Sequence, residues 1–294
     1  STYTQMLNKA GGIETDLTVI CIEENHFRII SSAATRTHDK AHILKHLSPK
    51  LELNDITDEF VCLGIFGPKS RDLISKISKD NFSNDTLNFG RGKYTQIASK
   101  KVWAQRLSYV GELGFEIYVK NIDAKEIYQL IIKEGKNYKL SHCGSHALDT
   151  MRMESGFLHW GHDISPEENQ YEAGLNFAIS YKKEINFIGK ESLLKIKDRK
   201  KEKRFIMLSL KDSDPGRPLL LHEEPIYLNT EIIGRTTSGN YSFNYKKNLA
   251  FGYINSRYTN EELKKMNLYI EVAKKKYQAV VEAAPLKNKQ ARYL

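Results

Sequence analysis

Three short stretches hold residue types and spacings that point to chemistry. The first is Gly11-Gly12-Ile13-Glu14-Thr15-Asp16. A glycine pair makes a tight turn into a β-branched run, and Asp16 stands near the start of that run. From spacing alone Asp16 reads as the turn carboxylate of a hairpin. It is not a phosphate loop, because GK[ST] and a following helix are lacking. The second stretch runs from Ser108 to Glu116, SYVGELGFE. Gly111 and Gly114 flank Glu112, and Tyr109 stands beside it. A carboxylate presented in this way accepts two parallel N–H bonds, as from a guanidinium or an amino-pyrimidine edge. A surface hairpin with a solvated Glu112 accounts for the loop equally well. The third is Met151-Arg152-Met153-Glu154-Ser155-Gly156, running into Trp160-Gly161-His162-Asp163. Arg152 sits between two methionines, and a buried arginine needs an anion. That anion is either a structural partner, Glu154 or Asp149, or an acidic ligand clamped by the guanidinium.

Other signatures are missing. His142 and His146 are four apart, with His159 and His162 further on, but the stretch reads HCGSH and not HExxH, so no metal site is expected. There is no GxSxG elbow. There is no GxGxxG either, so no dinucleotide-binding unit is expected within this chain.

The elements that position these residues follow from periodicity. DLTVICIE (16–23), FRIISS (27–32) and VCLGIF (61–66) read as strands. VWAQRL (102–107) and FEIYV (115–119) read as a strand pair around Gly111 and Gly114. TRTHDKAHILKHLS (35–48) places Ala41, Ile43, Leu44 and Leu47 at helical spacing. Gly67-Pro68 is a turn into the helix KSRDLISKI, and AKEIYQLIIKE (124–134) is an amphipathic helix. GSHALDTMRMESGFL (144–158) is another, ending near Gly156. The texture then changes. RFIMLSL, EPIYLN, EIIGRTTSG, NLAFGYI, NLYIEVA and KKYQAVVEA are short strands separated by turn residues, the pattern of a small antiparallel barrel or sandwich.

The 294 residues allow two or three domains. With 40% hydrophobic residues, 16 Tyr and 12 Phe, the composition supports a core and excludes intrinsic disorder. No run reaches the ~18 apolar residues of a membrane helix. STYTQMLNKAGG has neither a basic start nor an apolar core, so no secretory signal is expected in it. Cys21, Cys62 and Cys143 are few and widely spaced, which fits free thiols in a reducing compartment, cytoplasmic or a mitochondrial matrix. Cys21 and Cys62 lie in apolar runs and are expected to be buried. The formal charge of +9 favours acidic small molecules. The densest basic run, Lys195–Arg204, reads as a solvated hinge. No RNA-recognition signature is present, and neither nucleic acid nor membrane is expected as a partner.

Taken in order, these stretches resemble the aminomethyltransferase (glycine-cleavage T protein) superfamily, and within it the C-terminal folate-binding half of dimethylglycine and sarcosine dehydrogenases. The resemblance rests on YTQMLNKAGGIETDLTV (3–19), ITDEFVCLGIFGPKSRDLI (56–74), LSYVGELGFEIYV (107–119) and ALDTMRMESGFLHWGHDI (147–164). It continues through YEAGLNFAI (171–179), FIGKESL (187–193), the 224–254 stretch and AVVEAAPL (279–286). It implies an α+β fold of three lobes: ferredoxin-like α/β lobes plus a C-terminal antiparallel β-barrel. The expected division is 1–50 with 141–200, then 51–140, then 201–294. Tetrahydrofolate is the implied cofactor. Asp16 matches the GGI-x-x-D carboxylate at the folate nitrogens, and Glu112 the YxGExG glutamate on the pterin edge. Tyr109 would line the pocket, Arg152 of the RxExG helix would sit near the ligand, and Trp160 would wall its aromatic part. Ser32, where the T protein tends to have Asn, and the pair His38-Asp39 tilt the resemblance toward the amine-dehydrogenase branch. Relatives have a segment before YTQML that completes the first lobe, and the dehydrogenases have a flavin domain bearing FAD. The sequence starts at Ser1 with no Met before Met6, so a fragment or processed product of a larger enzyme is expected.

The implied function is capture of the methyl-derived carbon of an N-methylated amine as 5,10-methylenetetrahydrofolate. A stand-alone aminomethyltransferase or demethylase is the alternative within the family, and a non-catalytic folate-binding module the alternative outside enzymes.

Overall fold

In a computed structural model of the protein, residues 1–199, 202–284 and 286 are described. The chain begins with β1 (Thr2–Leu7), β2 (Ile13–Glu23), β3 (His26–Ile30) and α1 (Arg36–His46). There follow β4 (Phe60–Phe66), α2 (Ser70–Ile77), β5 (Gly92–Ile97), β6 (Lys100–Gln105), β7 (Gly114–Lys120) and α3 (Asn121–Gly135). Next come α4 (Ser145–Glu154), α5 (Lys190–Lys197), β8 (Lys203–Leu210), β9 (Pro225–Leu228), β10 (Glu231–Ser242) and β11 (Lys247–Asn255). The last are α6 (Asn260–Lys264), β12 (Leu268–Val272) and β13 (Lys275–Glu282). The architecture is α+β with a closed antiparallel barrel. Two compact units divide it: Ser1–Thr2 with Thr18–Leu148, and Tyr3–Leu17 with Asp149–Leu286.

The first unit is built on a four-stranded antiparallel sheet of order β4-β7-β6-β5. Side chains alternate across a strand. Ile65, Val102, Ala104, Phe115, Ile117 and Val119 therefore share one face, with Leu73 and Ile74 of α2 and Ile127 and Ile131 of α3 packed in the same core. The i,i+4 spacing of Ile127 and Ile131 sets the buried stripe of α3, and each such side chain contributes ~1.5–3 kcal/mol on burial. The opposite face presents Trp103 and Tyr118, which cluster with Ile20 of β2.

One expectation is corrected here. Cys21 and Cys62 are exposed, as is Cys143. Leu63 and Ile65 belong to the core-facing set of β4, so Cys62 falls on the other face. Cys21 likewise alternates with Ile20, which is buried. Helix α1 forms where expected, but Ala41 and Leu44 are exposed and Ile43 and Leu47 are only partly covered. Its buried residue is Asp39, which accepts from Thr35 Oγ1 at 2.6 Å. Arg36 pairs with Asp55 at 3.0 Å and Asp58 at 2.9 Å, so polar contacts anchor this helix instead of an apolar stripe.

In the second unit the six short strands close into an antiparallel barrel, β10-β11-β8-β13-β12-β9. Ile206, Leu208 and Leu210 of β8 join Ile226, Ala250, Ile270 and Val281 in one core. The alternate residues Met207, Leu249 and Phe251 pack with Leu7, Ile13, Met153, Ile164 and Leu193 in another. Both faces of β8 and β11 are thus used, which is why these strands read as near-continuous apolar runs. The basic stretch at 195–204 links α5 to β8, and its Lys200 and Lys201 lie outside the described residues, as do Pro285 and residues 287–294 of the expected barrel domain.

The hairpin from β1 to β2 is fixed by Asn8, whose Oδ1 accepts the backbone N–H groups of Ala10 and Gly12, each at 3.0 Å. Gly11 has φ +90°, a conformation open to glycine at little cost. A Cβ on Gly12 would meet the Pro166 carbonyl oxygen at 1.9 Å. Gly12→Ala therefore forces the turn away from the 166–168 backbone, where Ile13 N–H donates to the Glu168 carbonyl at 2.9 Å. The expected loss of stability is ~1–3 kcal/mol, typical of overpacking. Urea denaturation checks it, and an unchanged midpoint would remove this role for Gly12.

Candidate functional site

Asp16, Arg152 and Trp160 all belong to the second unit, whereas Tyr109 and Glu112 belong to the first. Asp16 is half-buried on β2, on the strand that leaves the glycine turn. Gln5 Nε2 donates to Asp16 Oδ1 at 2.9 Å, so the carboxylate is oriented by its neighbour strand. Gln5 is itself buried, and its Oε1 has no hydrogen-bond partner. Carboxylate and amide oxygen together make an acceptor set suited to a ligand rich in N–H groups. Trp160 Nε1 donates to the Ile13 carbonyl at 3.0 Å, which ties the indole to the start of the same strand.

Arg152 is 2% exposed. Its Nε donates to Asp149 at 2.7 Å, Nη1 to Asp163 at 2.6 Å and to the Phe157 carbonyl at 3.0 Å, and Nη2 to Ser238 Oγ at 2.8 Å. The guanidinium also lies 5.3 Å from the Phe251 ring centroid. These are the partners of a structural brace. Asp149, one of the two anions expected for it, is present. Glu154, the other, instead accepts from Ser242 Oγ at 2.6 Å and Asn244 Nδ2 at 2.6 Å. Gly156, with φ +72°, ends α4 and turns the chain back so that Asp163 reaches the arginine. Asp163 in turn accepts from Thr237 Oγ1 at 2.6 Å and Ser238 Oγ at 2.8 Å. Those two residues sit where the register of β10 against β11 shifts, and such a bulge re-aims side chains.

In the first unit Tyr109 and Glu112 are half-buried in the connection between β6 and β7. The connection is held by Gly67 N–H and Ser70 Oγ, which both donate to the Leu113 carbonyl, at 2.8 and 3.1 Å. Gly111 adopts φ +71° beside Glu112. One carboxylate nearby was not picked out from the sequence. Glu116, on β7, accepts from Tyr118 Oη at 2.5 Å. Burial pushes its carboxyl above the usual range, against the lowering effect of that hydrogen bond. The signal that finds it is a lone charge in the strand GFEIYV, whose next-but-one neighbour is a tyrosine. Shifted carboxyls of this kind cluster at functional sites.

A family model for the GCVT N-terminal domain matches residues 1–183, and one for the glycine cleavage T-protein C-terminal barrel domain matches residues 203–287. The chain belongs to the glycine cleavage T-protein family. It is 35% identical over 240 residues to 4-methylaminobutanoate oxidase (formaldehyde-forming) of Paenarthrobacter nicotinovorans, covering 81% of this chain and 29% of that protein. It is 31% identical over 288 residues to mitochondrial dimethylglycine dehydrogenase of Homo sapiens, covering 96% of this chain and 32% of that protein. Aminomethyltransferase of Listeria monocytogenes is 31% identical over 257 residues, with 87% of this chain and 68% of that protein covered. The chain thus spans about a third of the length of the first two relatives. The crystal structure of glycine cleavage system aminomethyltransferase T from Bartonella henselae superposes with a TM-score of 0.83 over 97% of this chain and 75% of that one, at 22% identity, and shares the fold. No helix among the described residues is long and apolar enough to cross a membrane.

Proposed function

We propose that this chain is the tetrahydrofolate-dependent one-carbon-transfer module of an enzyme that oxidises an N-methylated amine, dimethylglycine or sarcosine, with the flavin on another domain or subunit. The observation that supports it most is the carboxylate of the GGIETD turn, set on β2 with an orphan amide oxygen beside it, in a chain aligned over 96% of its length with a dimethylglycine dehydrogenase. That acceptor set fits reduced folate, whose ring system bears N–H groups. Tetrahydrofolate, when bound, supplies the amine nitrogens that take up the carbon. Asp16 would orient such an amine and accept its proton. Glu112 would hold the amino-pyrimidine edge, with Tyr109 and Trp160 as apolar walls. Arg152, occupied by Asp149 and Asp163, would act by positioning α4. The three lobes, 1–50 with 141–200, 51–140 and 201–294, belong to the same reading. Calorimetric titration with reduced folate, NAD and FAD tests it: folate alone should bind, and dinucleotide binding without folate binding would sink the reading.

Glu112→Ala is expected to weaken folate binding roughly tenfold to a hundredfold, the worth of hydrogen bonds to a charged group. Glu116→Gln provides the comparison. Full affinity in Glu112→Ala with a loss in Glu116→Gln would move the pterin contact to Glu116.

A further inference from the structure

Helix α1, in the first unit, carries histidine at every fourth position: His38, His42 and His46 in RTHDKAHILKH. Residues four apart stand one above the other on a helix face. The three imidazoles therefore form a stripe along α1. The His42 and His46 rings meet, with centroids 5.0 Å apart and planes tilted by 57°. Solvent reaches both side chains, since His46 is exposed and His42 half-buried. The core does not claim this stripe, because the buried residue of α1 is Asp39.

Two imidazoles at i and i+4 on a helix form a chelate, the spacing by which HExxH helices hold zinc. Rings sharing one ion through metal–nitrogen bonds of about 2.0–2.1 Å have centres roughly 5 Å apart. The His42–His46 separation meets that requirement. Position adds a second, electrostatic argument. His46 ends α1, where the free carbonyls of the last turn favour a cation. His38 belongs to a different contact: its Nδ1 lies 3.2 Å from Asp39 Oδ1. It is also eight positions from His46, ~12 Å along the helix axis, too far to share an ion with it. The other close imidazoles are less suited. His159 and His162 lie 4.7 Å apart, but the Arg152 guanidinium acts on His159 and opposes a further cation. His142 precedes α4 and so shares no helical turn with His146, and its Nε2 is 2.7 Å from Tyr128 Oη. Among the described residues no group of three histidine, cysteine or carboxylate side chains is placed to hold a metal ion, so α1 offers two protein ligands and leaves the remaining positions to water.

We propose that His42 and His46 chelate a late first-row divalent ion, the class of Cu²⁺, Ni²⁺ and Zn²⁺, through one ring nitrogen each. Imidazole suits these ions, whereas Mg²⁺ and Ca²⁺ prefer oxygen ligands. The bound ion would clamp the last turn of a helix that polar contacts anchor in place of an apolar stripe. The site does not depend on the folate reading.

The test uses the full chain and Cu²⁺ supplied as its iminodiacetate complex, which leaves room for two imidazoles. Electron paramagnetic resonance counts the coordinated ring nitrogens, and calorimetry gives the affinity. Wild type should show two nitrogens. His42→Gln and His46→Gln should each show one and lose roughly a hundredfold in affinity, because chelation makes the second bond intramolecular. His38→Gln should bind as wild type does, and excess Mg²⁺ should not compete. Single-nitrogen coordination in wild type would overturn the proposal, as would full affinity in His46→Gln. A loss in His38→Gln as large as that in His46→Gln would overturn the assignment to this pair. So would two-nitrogen coordination that survives in the double variant His42→Gln, His46→Gln, since the ion would then sit on other histidines. Where the half-buried His42→Gln fails to fold, the exposed His46→Gln decides alone.

Discussion

Asp16→Asn is expected to lower the rate of carbon transfer by roughly a hundredfold to ten-thousandfold while folate affinity stays within about tenfold of wild type. Asparagine keeps the size of aspartate and keeps a carbonyl oxygen to accept from Gln5 Nε2, so the local geometry of β1 and β2 survives. It cannot take a proton at neutral pH, and it lacks the charge that favours a developing cation on the attacking amine. A loss confined to the transition state lowers rate more than binding. The assay supplies this chain with tetrahydrofolate and formaldehyde, reads methylenetetrahydrofolate, and subtracts the reaction that proceeds without protein. A full catalysed rate in the variant would return Asp16 to a turn residue. Loss of binding and rate together would make it a ligand anchor, with the base elsewhere.

The barrel was legible because each of its strands is a run of alternating or continuous apolar residues bounded by turn residues, and antiparallel neighbours need only short connections. Asp16 and Glu112 stand out by a local signal, a glycine pair shortly before the one and glycines on either side of the other, while a role for them in a site comes from the family resemblance alone. What stayed hidden depends on contacts distant in sequence. Arg152 announces a need for an anion, but Asp163 is 11 residues on and Ser238 is 86. Only the Gly156 turn and the β10 bulge bring them to the guanidinium. Glu154 looked like a partner by proximity, yet its carboxylate meets Ser242 and Asn244, some 90 residues away. The cysteines failed for a simpler reason. An apolar run does not say which face of the strand each residue takes, and Cys62 alternates with the residues that reach the core.

The brace around Arg152 sets the second large expected effect. Arg152→Met keeps much of the side-chain volume and removes the charge. It leaves Asp163, whose side chain is fully buried, with two hydroxyls and the His159 backbone N–H as its remaining donors. Breaking a buried pair by deleting one partner strands the other charge, at a cost of ~3–5 kcal/mol. Urea denaturation should register a loss of that size, and the free energy should be insensitive to added salt because the pair is shielded from solvent. Asp163→Asn should cost less, since Arg152 keeps Asp149 at 2.7 Å. The double variant Arg152→Met, Asp163→Asn should recover part of the loss, because no uncompensated charge remains. Strict additivity of the two single losses would mean that Arg152 and Asp163 do not stabilise one another, and the arginine would then be free to serve an acidic ligand after all. A coupling of about 1 kcal/mol or more assigns it to holding α4 and the 156–164 turn in place, with any effect on transfer arising through the elements it positions.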